Sequence, residues 1–112
     1  MSASQADRFE RFHRANPHVF SELLRLATTL HIRGIARGSI AQLFEVLRYD
    51  TRLRTGGNPF KLDNVFRAYY ARLLMCYDTD LDGFFELRVQ TEAQYAPDLI
   101  KLGLVPRPPA WF

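Results

Sequence analysis

The chain has 112 residues, with 15 Lys or Arg against 12 Asp or Glu and a formal net charge of +3. That length supports one domain with its own core, and aromatic side chains at 13% of positions exclude wholesale disorder. The charge is uneven: residues 1–75 carry twelve basic and six acidic groups, residues 76–112 three basic and six acidic, so one end of the molecule attracts polyanions. Thirteen of the basic residues are Arg, whose planar fork suits phosphate and guanine edges. A GC-rich codon usage accounts for the same bias. Cys76 is the only cysteine, which rules out an intramolecular disulfide and predicts a reducing, cytoplasmic setting. The polar start of the chain reads as no signal peptide, and no apolar run approaches the roughly 20 residues of a membrane span.

In chain order, Ser4 with Asp7 three residues on predicts a capped helix that puts Phe9 and Phe12 on one face. Asn16-Pro17 marks a break and restart, with Asn16 as cap and Pro17 at the first helical position. Phe20, Leu23, Leu24, Ala27 and Leu30 then keep helical spacing up to Gly34. Ser39 caps a third helix with the stripe Ile40, Leu43, Phe44 and Leu47. Residues 51–55 alternate polar and apolar before the turn Gly56-Gly57-Asn58-Pro59, and Phe60-Lys61-Leu62 reads equally as a returning strand or a loop. Asp63 caps a fourth helix whose buried stripe is Phe66, Tyr70, Leu73 and Tyr77, and Phe84–Val89 reads as a strand or short extended segment. The expectation is mainly α: a compact four-helix, helix-turn-helix-like domain over residues 1–104, winged in one variant, with two or three short strands. Residues 105–112 form a Pro-rich tail ending in Trp111 and Phe112.

The fourth helix is the predicted reading element. With its apolar stripe turned inward, Asn64, Arg67, Ala68 and Ala71 fall on the outer face beside Arg72. Asn pairs with adenine and Arg with guanine, while Ala lets a backbone approach. Arg48, Arg52, Arg54 and Lys61 supply phosphate contacts. An amphipathic helix has a polar outer face in any case, so the pattern also fits a simple solvated surface. Internal ion pairs among Arg48, Asp50, Lys61 and Asp63 are a further alternative for the same residues.

Other motifs are weaker. Asp78-Thr79-Asp80-Leu81-Asp82-Gly83 matches the opening of a calcium loop, but Val89 stands where the bidentate Glu belongs. His13 and His18 have a zinc half-site spacing without further ligands, and a break lies between them. Cys76 follows an apolar run and reads as a small buried hydrophobe. No hydrolase, phosphate-loop or metalloprotease signature occurs, so the reading is non-enzymatic, without cofactor or metal.

The ordered blocks Phe9-Glu10-Arg11-Phe12-His13, Asn16-Pro17-His18-Val19, Leu47-Arg48-Tyr49-Asp50-Thr51, Phe60-Lys61-Leu62-Asp63-Asn64, Tyr69-Tyr70-Ala71-Arg72-Leu73 and Gly83-Phe84-Phe85-Glu86-Leu87-Arg88 are similar to a family of small uncharacterised bacterial and phage proteins. Its blocks read F-x-x-F-H-x-x-N-P, I-R-W-E-T, F-K-[IL]-N-N-N, Y-Y-A-R-L-F-M and G-F-F-x-x-R. Tyr49-Asp50 and Asp63 depart from that pattern, and the tail lies outside it. The resemblance implies a compact, mostly helical bacterial or phage-encoded protein with a helix-turn-helix role. Two function classes follow: a DNA-binding protein using Arg48, Arg52, Arg54, Lys61, Asn64, Arg67 and Arg72, or a protein-interaction module or homo-oligomer docking through Trp111 and Phe112.

Overall fold

The helices begin where the sequence supplies a cap. In the computed structural model, which describes residues 4–55 (side chains 4–50), 62–86 and 97–105, Ser4 Oγ accepts the Asp7 N–H at 3.1 Å and opens α1 (Gln5–Ala15). Pro17, which has no N–H to leave unpaired, opens α2 (Pro17–Ile32). Asn16 does not cap α2 with its side chain. Its Nδ2 instead donates back to the Phe12 carbonyl at 3.1 Å, alongside its own backbone N–H, so Asn16 closes α1. Ser39 Oγ accepts the Gln42 N–H at 3.3 Å at the head of α3 (Ile40–Thr55). Asp63 Oδ1 accepts the Val65 N–H at 3.1 Å, which starts a 3₁₀ turn, Asn64–Phe66, that runs directly into α4 (Arg67–Tyr77).

Two strand expectations are corrected. Residues 51–55 continue α3 as helix instead of forming a strand. Five alternating residues are a weak strand signal, and helix propagation gains a hydrogen bond per residue until a breaker arrives, here Gly56-Gly57. Among the described residues, strand pairing reduces to isolated bridges: a parallel one joins Gly38 and Phe85, and Asp78 takes part in another. The expected wing and returning strand, including Lys61, and the tail with Trp111 and Phe112 lie outside the described residues.

The predicted apolar stripes form the core. Phe20, Leu23 and Ala27 of α2, and Leu43, Phe44 and Leu47 of α3, are buried. The larger finding concerns α4, which α2 and α3 both contact and whose Tyr69, Tyr70, Ala71, Leu73 and Leu74 are all buried. Phe9 of α1 stacks on Tyr69 with ring centroids 5.1 Å apart and meets Tyr70 edge-on at 4.8 Å. Phe44 of α3 reaches Tyr70 from another side at 6.1 Å. Alternating stacked and edge-on rings suit the aromatic quadrupole and add about 0.5–1.5 kcal/mol per pair beyond area burial.

His13 is enclosed in this cluster, 3% exposed, with Phe9, Phe20 and Tyr70 around its ring. Burial pulls its pKa below the ordinary value of 6.5; a backbone hydrogen bond at Leu102 opposes the shift and nearby Arg14 adds to it. A lowered folded-state pKa means that the unfolded chain binds the proton first. His13 therefore contributes full stability above pH 6.5 and loses it as pH falls below that value. The melting temperature of the wild type should drop between pH 7 and pH 5, and His13→Leu should flatten that drop, as thermal unfolding at the two pH values will show.

Candidate nucleic-acid interface

The connection between α2 and α3 is a rigid, basic elbow. Gly34, with φ +88°, takes the left-handed conformation that only glycine adopts without strain. Its N–H donates to the His31 carbonyl at 3.0 Å, and the next N–H, of Ile35, donates to Leu30 at 3.1 Å. This pair of crossed bonds satisfies the last carbonyls of α2 and reverses the chain sharply. At the far end, the Gly38 N–H donates to the Phe84 carbonyl at 3.0 Å. A Cβ on Gly38 would lie 2.2 Å from the Phe84 ring, so the approach requires glycine. His31 meets the same ring edge-on at 6.4 Å. Both ends of the elbow are thus pinned to buried Phe84, and Ser39 launches α3 immediately afterwards.

The side chains on this frame face water. His31, Ile32, Arg33, Ile35 and Arg37 are all exposed. The side chains of Arg33 and Arg37 have no hydrogen-bond or ion-pair partner among the described residues. From Leu23 to Phe44 the sequence contains no Asp or Glu. The acid that the bridge brings to this side is Glu86, next to Phe85 and exposed.

The residues nominated from the sequence are dispersed. Arg48 is drawn inward: its guanidinium donates to the Leu62 carbonyl at 2.6 Å, to Asn64 Oδ1 and to Glu45, and its head lies 6.0 Å from the Phe44 ring centroid. Arg48 and Asn64 therefore satisfy one another and tie α3 to the lead-in of α4. Asn64 sits in the 3₁₀ turn and not on α4. Asp63 pairs with Arg8 of α1 at 3.3 Å. Arg67 is half-buried and donates from Nε to the Asn64 carbonyl at 3.2 Å. Arg72 is half-buried, and its Nε lies inside without a partner among the described residues.

Ala71, expected on an open outer face, is fully buried, and Ala68 is half-buried. The stripe rule counts one apolar face, whereas α4 has neighbours on several sides. Arg52 and Arg54 stand on the last turn of α3. Arg33 and Arg37 fall among the twelve basic groups of residues 1–75 but carry no motif that singles them out. The signal that marks them is the acid-free interval, punctuated by Gly34, Gly38 and Ser39.

Other candidate chemistry is quiet. Cys76 is exposed, not buried as its apolar neighbours suggested, because it falls on the outer side of α4. Partial burial still pushes its thiol pKa up, with Arg72 opposing and Asp82 adding to the shift, so thiolate is scarce. Asp78 is buried and caps the turn Thr79–Leu81 by accepting the Asp80 N–H at 3.0 Å. Among the described residues no group of three His, Cys, Asp or Glu is placed to hold a metal ion, and no helix is long and apolar enough to cross a membrane. Comparison with protein-family models, curated proteins and solved structures finds no match.

Arg48 acts here as an internal latch. Arg48→Ala should lower stability by about 1–3 kcal/mol through loss of charge-assisted hydrogen bonds, measured by urea unfolding. It should leave the salt dependence of polyanion binding unchanged.

Proposed function

We propose that this protein binds nucleic acid, duplex DNA in the first instance, in a helix-turn-helix-like manner through the elbow between α2 and α3. The observation that carries the reading is the pair of exposed, unpartnered arginines, Arg33 and Arg37, on a rigid connection with no carboxylate in the surrounding sequence interval. Cations on a backbone held in this way suit phosphate contact, because the backbone on either side needs little further ordering while the side chains order on binding. Arg52 and Arg54 lie about 18–21 Å further along α3, close enough for a second set of contacts on the same duplex. Arg67 and Arg72, at the borders of the enclosed helix, are secondary contributors in this reading.

Two arginines reach about two phosphates, which gives a log–log salt slope of roughly −2. Fluorescence anisotropy with a short labelled duplex at low and near-physiological salt tests this. The double variant Arg33→Ala/Arg37→Ala should weaken binding at least ten-fold at low salt and reduce the slope by about 2. Arg52→Ala/Arg54→Ala should have the smaller effect. Unchanged affinity in the first variant would sink the assignment to the elbow.

A second reading, a protein-interaction module or homo-oligomer, has its own observation. On α3, Val46 and Tyr49 are 48% and 68% exposed, three residues apart, beside Ala41, Gln42 and Glu45, which with Val46 line a shallow surface depression. If this face pairs two copies, sedimentation velocity should show concentration-dependent association that Tyr49→Ser abolishes.

A further inference from the structure

We infer that the elbow enters the minor groove of DNA, with Arg33 and Arg37 along its walls and Ile32 as a wedge against a base step; this rests on the nucleic-acid reading above. The choice of groove follows from what the helices lack. A major-groove reader needs a helix with an open, basic face. Helix α4 is buried on several sides. On α3 the described outer face carries Gln42, Glu45, Val46 and Tyr49, with Glu45 ion-paired to Arg48, so it presents no open cation among the described side chains. On α1, Arg8 pairs with Asp63 and Arg14 donates to the Lys101 carbonyl at 2.9 Å; Arg11 is exposed and open, but it is a single cation with Asp7 one turn before it and Glu10 beside it.

The elbow has the opposite character. It is a non-helical strip whose small residues Gly34, Ala36 and Gly38 keep it thin, and the minor groove, about 6 Å wide, admits such a strip where it excludes a helix. Arginine is favoured there because a narrow groove concentrates negative potential. Ile32 is 77% exposed and Ile35 42% exposed. A single exposed aliphatic side chain carries little meaning, but these two flank Arg33 on a backbone held by crossed hydrogen bonds, and Ile32 ends its helix. Aliphatic side chains so placed unstack a base step and kink the duplex. Charge complementarity selects a polyanion as the occupant, and exposed isoleucines between its cation contacts select one with an apolar interior to enter.

The test uses the full chain and two labelled duplexes, one A·T-rich with a central TA step and one G·C-rich, with dyes at both ends to read bending by energy transfer. The wild type should prefer the A·T-rich duplex and shorten its end-to-end distance, and a minor-groove-binding polyamide should compete. Ile32→Ser, at a position too exposed to disturb the fold, should lower affinity by roughly ten-fold or less and remove the bend while keeping the salt slope. Arg33→Ala should reduce both affinity and slope. A bend that survives Ile32→Ser, or equal binding to both duplexes, overturns the wedge while leaving DNA binding intact. No salt-sensitive binding to either duplex overturns the underlying reading, and capture by anionic phospholipid vesicles in its place assigns the elbow to a membrane surface.

Discussion

The arrangement of this protein depends on the enclosure of α4. An eleven-residue helix is too short to be stable alone, and here it is held by neighbours on several sides. Tyr70 is the centre of that enclosure, with no exposed surface and with rings of α1 and α3 against it. The enclosure has costs. The Tyr70 hydroxyl and Arg72 Nε are buried without partners among the described residues, and each such group forfeits about 1–3 kcal/mol of solvation. Burial of the surrounding aromatic area offsets them. One consequence is that a helix used as the pillar of a core keeps only a narrow outer side, here with half-buried Arg72 and exposed Cys76.

The periphery is organised by the same core. Phe84, at 1% exposure, anchors Gly38 through both a backbone hydrogen bond and a close ring contact. The left-handed Gly34 then sets the direction in which the chain leaves α2. Arg33, just before Gly34, and Arg37, just before Gly38, are presented at the two ends of this held segment.

Much of the architecture was legible along the chain. Ser4, Ser39 and Asp63 announce helix starts because a short oxygen-bearing side chain before an apolar stripe satisfies orphan N–H groups, and each is seen to do so. The stripes of α2 and α3 follow from periodicity alone. Asn16 resembled these caps, yet its amide turned backwards to the Phe12 carbonyl, and the Val19 N–H that it would have served donates to the Asn16 backbone carbonyl instead. Residues 51–55 looked extended because five positions are too few to distinguish a period of two from one of 3.6.

Local sequence thus determined where helices begin, which faces are apolar and where the chain is basic, since capping, periodicity and charge act over a few residues. Whether a polar side chain is available is a different property. Arg48 and Asn64 lie sixteen positions apart and meet only when α3 folds beside the lead-in to α4. Ala71 and Cys76 exchanged their expected burial because neighbours distant in sequence cover one side of α4 and not the other. Arg33 and Arg37 were unremarkable in the sequence and stand among the open cations of the described surface through the absence of a side-chain partner in space. Pairing and enclosure are long-range events, and the tertiary structure alone decided them.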